Sequence, residues 1–192
     1  MKHLLVLTLL LSFLGMQHSI AQDGSPAATA SLLIEGGIEF GGDEILEVLF
    51  TNGGEQKIRA GQGGYISAGA EVALSNVPVL FRSTIGIKYT TTAADNANIN
   101  FTRLPFNLMA FGVIKDDFRI GAGLTSHLNV RLKGDGFFED TEFTASPGLR
   151  LEAGWQWIAL TYSAINYEDP DGAVLSANSI GVALSFKIPN RR

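Results

Sequence analysis

The sequence predicts an all-β fold, an antiparallel up-and-down transmembrane β-barrel of eight strands, with ten strands as the alternative. Three observations predict it. From Ser31 onward the apolar residues recur at period two, so each strand has two unlike faces. The alternating segments are longer than an ordinary strand of ~5–6 residues and match the ~9–11 that cross a bilayer. Short turns alternate with longer polar loops, which is the plan of a barrel threaded through a membrane.

The strands follow in order. Ser31 to Phe40 carries Glu35 and Glu39 on its polar face, and Tyr65 to Leu74 carries Glu71. After the short turn Ser75-Asn76-Val77-Pro78, Val79 to Thr90 sets Phe81, Ile85, Ile87 and Tyr89 against Arg82, Thr84 and Lys88. Ile99 to Val113 carries Arg103. A second short turn, Ile114 to Asp117, leads into the cleanest segment, Phe118 to Val130. There Ile120, Ala122, Leu124, Leu128 and Val130 share one face, with Arg119, His127, Asn129 and then Arg131 opposite. Thr141 to Ala153 sets Phe143, Ala145, Leu149 and Leu151 against Glu142, Arg150 and Glu152. Trp155 to Tyr167 and Asn178 to Ile188 complete the set, the last with Lys187 on its polar face. Pro105 and Pro147 fall inside strands, and a closed barrel has no free edge for them, so each requires a bulge or a missing ladder bond. Aromatic residues gather at the segment ends as two interfacial girdles would. Phe40, Tyr65, Tyr89, Phe101, Phe143 and Tyr167 lie at the loop end, and Phe81, Phe111, Phe118, Trp155, Trp157 and Phe186 at the turn end.

Residues 1–21 read as a cleavable export signal: a positive start, an apolar run from Leu4 to Met16, and Ser19-Ile20-Ala21 before the cut. Residues 22–30 form a flexible lead into a barrel at 31–192. Without Lys2 the mature chain has 13 basic against 19 acidic residues, a net charge of −6 that argues against nucleic acid as a partner. The absence of cysteine excludes disulfides, thiolate metal sites and a thiol nucleophile. A single mature histidine, His127, excludes histidine-rich zinc sites, and no metal or cofactor is expected.

The polar faces supply the candidate site. By parity Glu35, Glu39, Glu71, Glu142 and Glu152, with Arg82, Lys88, Arg103, Arg119, Arg131, Arg150 and Lys187, point into the lumen beside His127. An eight-stranded interior is about filled by side chains, so these charges are expected to pair and plug it. His127 and Ser126 are neighbours on a strand and point to opposite faces, which rejects a Ser–His pair; no catalytic residue is assigned. In loop 41–64, Ile45 to Phe50 and Glu55 to Ala60 flank an Asn-Gly turn as an extracellular hairpin. Its Leu46, Val48 and Phe50 either pack over the barrel mouth or contact a small hydrophobic ligand. The Glu168-Asp169-Pro170-Asp171-Gly172 run reads as a polar turn.

With these features the chain resembles the small bacterial outer-membrane β-barrel proteins of the OmpA/OmpX/OmpW-like group. The last strand is similar to their assembly signal, with Ser179, Gly181, Leu184 and Phe186 in the required spacing, although Pro189 to Arg192 extend past the usual terminal aromatic. The resemblance implies a multi-pass location in the outer membrane, contact with its lipid and lipopolysaccharide, insertion by the barrel assembly machinery, and a monomer. The expected role is structural or binding, with loops displayed outside. Passage or capture of small hydrophobic solutes is the first alternative, and lipid A modification centred on His127 the second.

Overall fold

The computed structural model describes residues 28–49, 54–92, 99–115 and 117–188. The export signal, residues 22–27 of the lead, Phe50 and the Asn52-Gly53 turn lie outside them. Among the described residues there are thirteen strands and no helix. They are β1 (Ala28–Phe40), β2 (Glu44–Leu49), β3 (Glu55–Arg59), β4 (Gly63–Leu74), β5 (Val79–Thr91), β6 (Asn100–Val113) and β7 (Phe118–Lys133). After these come β8 (Thr141–Ala145), β9 (Gly148–Trp155), β10 (Ile158–Ala164), β11 (Asn166–Glu168), β12 (Val174–Ser176) and β13 (Ser179–Ile188).

Three pairs, β8/β9, β10/β11 and β12/β13, are single staves with a short interruption, so the wall has eight staves in sequence order. Antiparallel pairing of β1 with β13, from Leu32 opposite Ile188 to Phe40 opposite Ile180, closes it. β2 and β3 pair only with each other, which removes the ten-stranded alternative. Gly41 and Gly42, with φ of 131° and 83°, turn the chain out of β1 into this hairpin. A Cβ on Gly42 would sit 2.5 Å from the Gly61 nitrogen, so the two arms meet at glycines.

Over most of the wall the outward positions are apolar and the inward ones polar. Leu32, Ile38, Ile66, Ile85, Leu108, Ile120, Leu124, Leu160 and Ile180 are exposed on the outside. At the turn end Phe81, Phe118, Trp155, Trp157 and Phe186 are exposed, with Trp157 and Phe186 stacked at 6.5 Å between ring centroids.

Towards the loop end this pattern inverts. Thr102 faces Arg131 but Leu104 faces Leu128, so β7 carries one extra residue, and Asn129 takes a left-handed φ of 51° there. On the adjacent stave Ser146 and Pro147 break the ladder between β8 and β9, and Ser146 N–H bridges the gap to the Asn166 carbonyl at 3.1 Å. Both prolines therefore lie at irregularities: Pro147 in the break, and Pro105 where the β5–β6 ladder lapses between the Ile85–Phe106 and Lys88–Arg103 pairs. Beyond this level Val130, Leu132, Phe143 and Ala145 turn inward, while Arg131, Lys133, Glu142 and Thr144 turn outward. The period-two expectation for Arg131 and Glu142 is thus corrected. They form an exposed 2.6 Å ion pair on the outer wall, because the bulge on β7 and the Ser146-Pro147 interruption between β8 and β9 each shift parity by one.

The loop-end girdle is corrected for the same region. Tyr65, Phe101, Phe143 and Tyr167 point inward, as does Phe111 at the turn end, leaving Phe40 and Tyr89 as the exposed aromatics expected there. The barrel has two tiers: one with an apolar outside and a polar lumen, and above it one with a polar outside and an apolar core. Asn129→Val forces a β-branched residue into the left-handed region and is expected to cost about 1–3 kcal/mol. Asn129→Gly should cost almost nothing, and urea midpoints of the refolded protein compare the two.

Candidate functional site

The polar lumen is a network built by facing rows of the wall. Glu71 on β4 and Arg82 on β5 are direct cross-strand partners, and Arg82 donates through Nε and Nη2 to Glu71 at 3.1 and 2.8 Å. Its Nη1 crosses the bore to Glu35 on β1 and Glu152 on β9, both at 3.3 Å. One guanidinium therefore holds three carboxylates on three staves, and it rests 4.8 Å from the Phe111 ring centroid. Below it Arg119 donates to Glu152 at 3.1 Å, to the Gln156 carbonyl at 2.6 Å and to Ser185 at 3.2 Å. Lys187 reaches Glu71 at 2.5 Å from the exposed rim, so it closes the network at the turn end.

A second cluster sits above. Arg150 donates to Glu39 at 2.8 Å, Ser163 at 3.1 Å and Tyr65 at 3.1 Å, and the Tyr65 hydroxyl donates to Glu35 at 3.1 Å. Glu35 thus joins the two clusters. Lys88 donates to Glu39 and, at 2.6 Å, to the Gly61 carbonyl. Arg103 stands beside Lys88 in the ladder, and two like charges there would repel without separate partners. Arg103 turns upward and donates to the Ala60 and Gln62 carbonyls, both at 2.7 Å, and to Thr90 at 2.9 Å. Three successive carbonyls at the foot of the hairpin are therefore held by two buried cations.

His127 is 6% exposed, and its Nδ1 shares a hydrogen bond with the Tyr167 hydroxyl. Above it lies the apolar core of the upper tier: Ile58, Ile99, Phe101, Val130, Leu132, Ile165 and Tyr167. Phe101 meets Phe143 and Tyr167 edge-on at 6.0 and 6.1 Å, and its face carries the Arg103 guanidinium at 4.1 Å. Leu46 and Val48 of the hairpin pack against this core, so they cover the mouth; Phe50 lies outside the described residues. On the outer side of the hairpin Lys57 pairs with Glu44 at 3.0 Å and Glu47 at 3.3 Å, and these hydrogen bonds hold its ammonium above the usual lysine value.

The lumen set drawn from the sequence therefore separates. Glu35, Glu39, Glu71, Arg82, Lys88, Arg103, Arg119, His127, Arg150 and Glu152 are brought together inside, and Lys187 joins at the rim. Arg131 and Glu142 do not. Sequence reasoning missed Tyr65, Ser163 and the 60–62 carbonyls, of which only Tyr65 had a signal, since it shares parity with Glu71. Of the terminal-strand residues, Ser179 and Gly181 face inward, and Leu184 and Phe186 outward. Asp169 accepts from the backbone of Asp171 and Ala173 at 3.0 and 2.8 Å, the pattern of a polar turn. Among the described residues no group of acidic or histidine side chains is placed to hold a metal ion. No protein-family model matches the chain, and no curated protein matches it.

Proposed function

We propose that the chain is an integral outer-membrane barrel with a structural or binding role, holding a rigid, capped upper tier and its loops outside the lipid. The observation that carries this reading is the outward apolar wall. Its exposed Leu, Ile, Val and Phe side chains ring the barrel as one band, whereas a soluble monomer keeps its apolar patches to about a few hundred Å². On β7 the apolar band runs from Phe118 to Leu128, about the 9–11 residues that cross a bilayer when tilted. It ends where the wall turns polar, as a lipid boundary requires.

The lumen supports a non-conducting role. Arg82 and Arg150 span the bore between staves, and the upper core closes the loop end. A catalytic role for His127 has no such support, because its imidazole is enclosed and engaged by Tyr167.

Membrane-extracted protein, heated and unheated, tests the location. The cold sample should migrate differently in SDS and stay with alkali-washed membranes, and planar bilayers should record no conductance. A soluble periplasmic protein with one unchanged band would overturn the reading. In lipid vesicles Leu124→Arg, at mid-wall, should cost about 2–4 kcal/mol. Thr144→Arg, outward on the upper tier, should cost close to nothing. A cost close to nothing at both positions would place both in water.

A further inference from the structure

Among the described residues, five buried side-chain atoms have no hydrogen-bond partner: Ser67 Oγ, Thr92 Oγ1, Arg103 Nε, Asn107 Oδ1 and Thr125 Oγ1. Three of them belong to one stretch of inner wall on β4 to β7, between the row of Arg82 and the row of Lys88 and Arg103. Asn107 stands in register with Thr84 on one side and Thr125 on the other. Its Nδ2 donates to Thr84 Oγ1 at 3.1 Å, which leaves Oδ1 as an acceptor beside the free Thr125 hydroxyl. Ser67 Oγ lies over Gly86, two residues along β5 from Thr84, and a Cβ on Gly86 would come within 2.2 Å of it. Ser67, Asn107 and Thr125 are 3%, 4% and 1% exposed, so bulk solvent does not satisfy them.

Native interiors pair such groups with protein or with ordered water. We infer that this stretch of lumen is a binding site for internal water, bridged between Asn107 Oδ1 and Thr125 Oγ1 with Ser67 Oγ at its margin. Water fits the donor and acceptor pattern. It donates to the amide oxygen, which offers only lone pairs, and both donates to and accepts from the hydroxyls. A cation is disfavoured because the buried bases Arg82, Lys88, Arg103, Arg119 and Arg150 outnumber the buried acids Glu35, Glu39, Glu71 and Glu152. An anion would face the amide oxygen. The water is enclosed by the charge clusters and the upper core, so it is a resident of the fold and not part of a path through it. The site stands whether the outer wall meets lipid or another apolar surface.

Crystals of the protein grown in bromide test the site. The expected result is a density peak about 2.7–3.2 Å from both Asn107 Oδ1 and Thr125 Oγ1, with no anomalous signal. In parallel, Thr125→Val should raise the unfolding equilibrium constant about tenfold, since it removes one of the two anchors of the bridging water. An empty site, or a Thr125→Val variant at least as stable as the parent, overturns the inference. An anomalous bromide peak at the site overturns it in favour of an anion. Should the variant fail to fold, the density in the parent decides.

Discussion

Replacing Arg82 by Met is expected to lower the stability of the barrel by about 3–5 kcal/mol, among the largest losses for any single lumen residue. Glu71, Glu35 and Glu152 each lose a charged donor at 2.8–3.3 Å, and all three remain buried at 2–3% side-chain exposure. Lys187 still reaches Glu71, and Arg150 and Arg119 still reach Glu35 and Glu152, so the barrel is weakened and not dissolved. Urea-unfolding midpoints in vesicles, with the cold-SDS band as a second readout, check this. Adding Glu35→Gln and Glu71→Gln to the Met variant should recover much of the loss, because the penalty comes from stranded carboxylates and not from the absence of a favourable pair. A loss below about 1 kcal/mol would mean that Arg82 behaves as an exposed ion-pair partner and the bore is open to water.

Phe101→Ala carries the second large effect, about 3–5 kcal/mol. The ring is fully buried, packs edge-on against Phe143 and Tyr167, and supports the Arg103 guanidinium on its face. Its loss opens a cavity in the upper core and loosens the cation that anchors the 60–62 carbonyls. Proteolysis should then cut the hairpin at 44–59 faster than in the parent, while the lower tier keeps its cold-SDS mobility. A ring lying in an outer girdle would instead leave the hairpin untouched, so the same variant separates the two placements.

The difference between those placements shows what could be read from residues alone. The eight staves, their order and most of their limits follow from period two, because each stave keeps one apolar face over eight residues or more. Strict alternation also places Phe101 and Phe111 inside, since both share odd numbering with Arg103. Their position near strand ends suggested girdles, and the period was the better guide. Arg131, Glu142 and Phe143 were misplaced for a different reason. A bulge costs one residue of register, and nothing in Asn129 itself announces it, although Pro105 and Pro147 mark the level at which ladders fail. The carbonyls of Ala60, Gly61 and Gln62 had no signal in the sequence, because backbone acceptors look alike in every loop.

The closing seam has a consequence for how the molecule is made. β1 pairs with β4 on one side, but its other edge, from Leu32 to Phe40, waits for Ile180 to Ile188 in the last strand of the barrel. Until that pairing forms, the sheet has two open edges and an apolar surface, the combination that recruits foreign strands. The ladder between β1 and β13 ends that exposure in one step, and it joins the two parts of the chain most distant in sequence. Contacts so remote form slowly, because the loop they close spans nearly the whole barrel. The vulnerable species is thus an almost complete sheet, and a truncation that removes β13 leaves it permanently in that state.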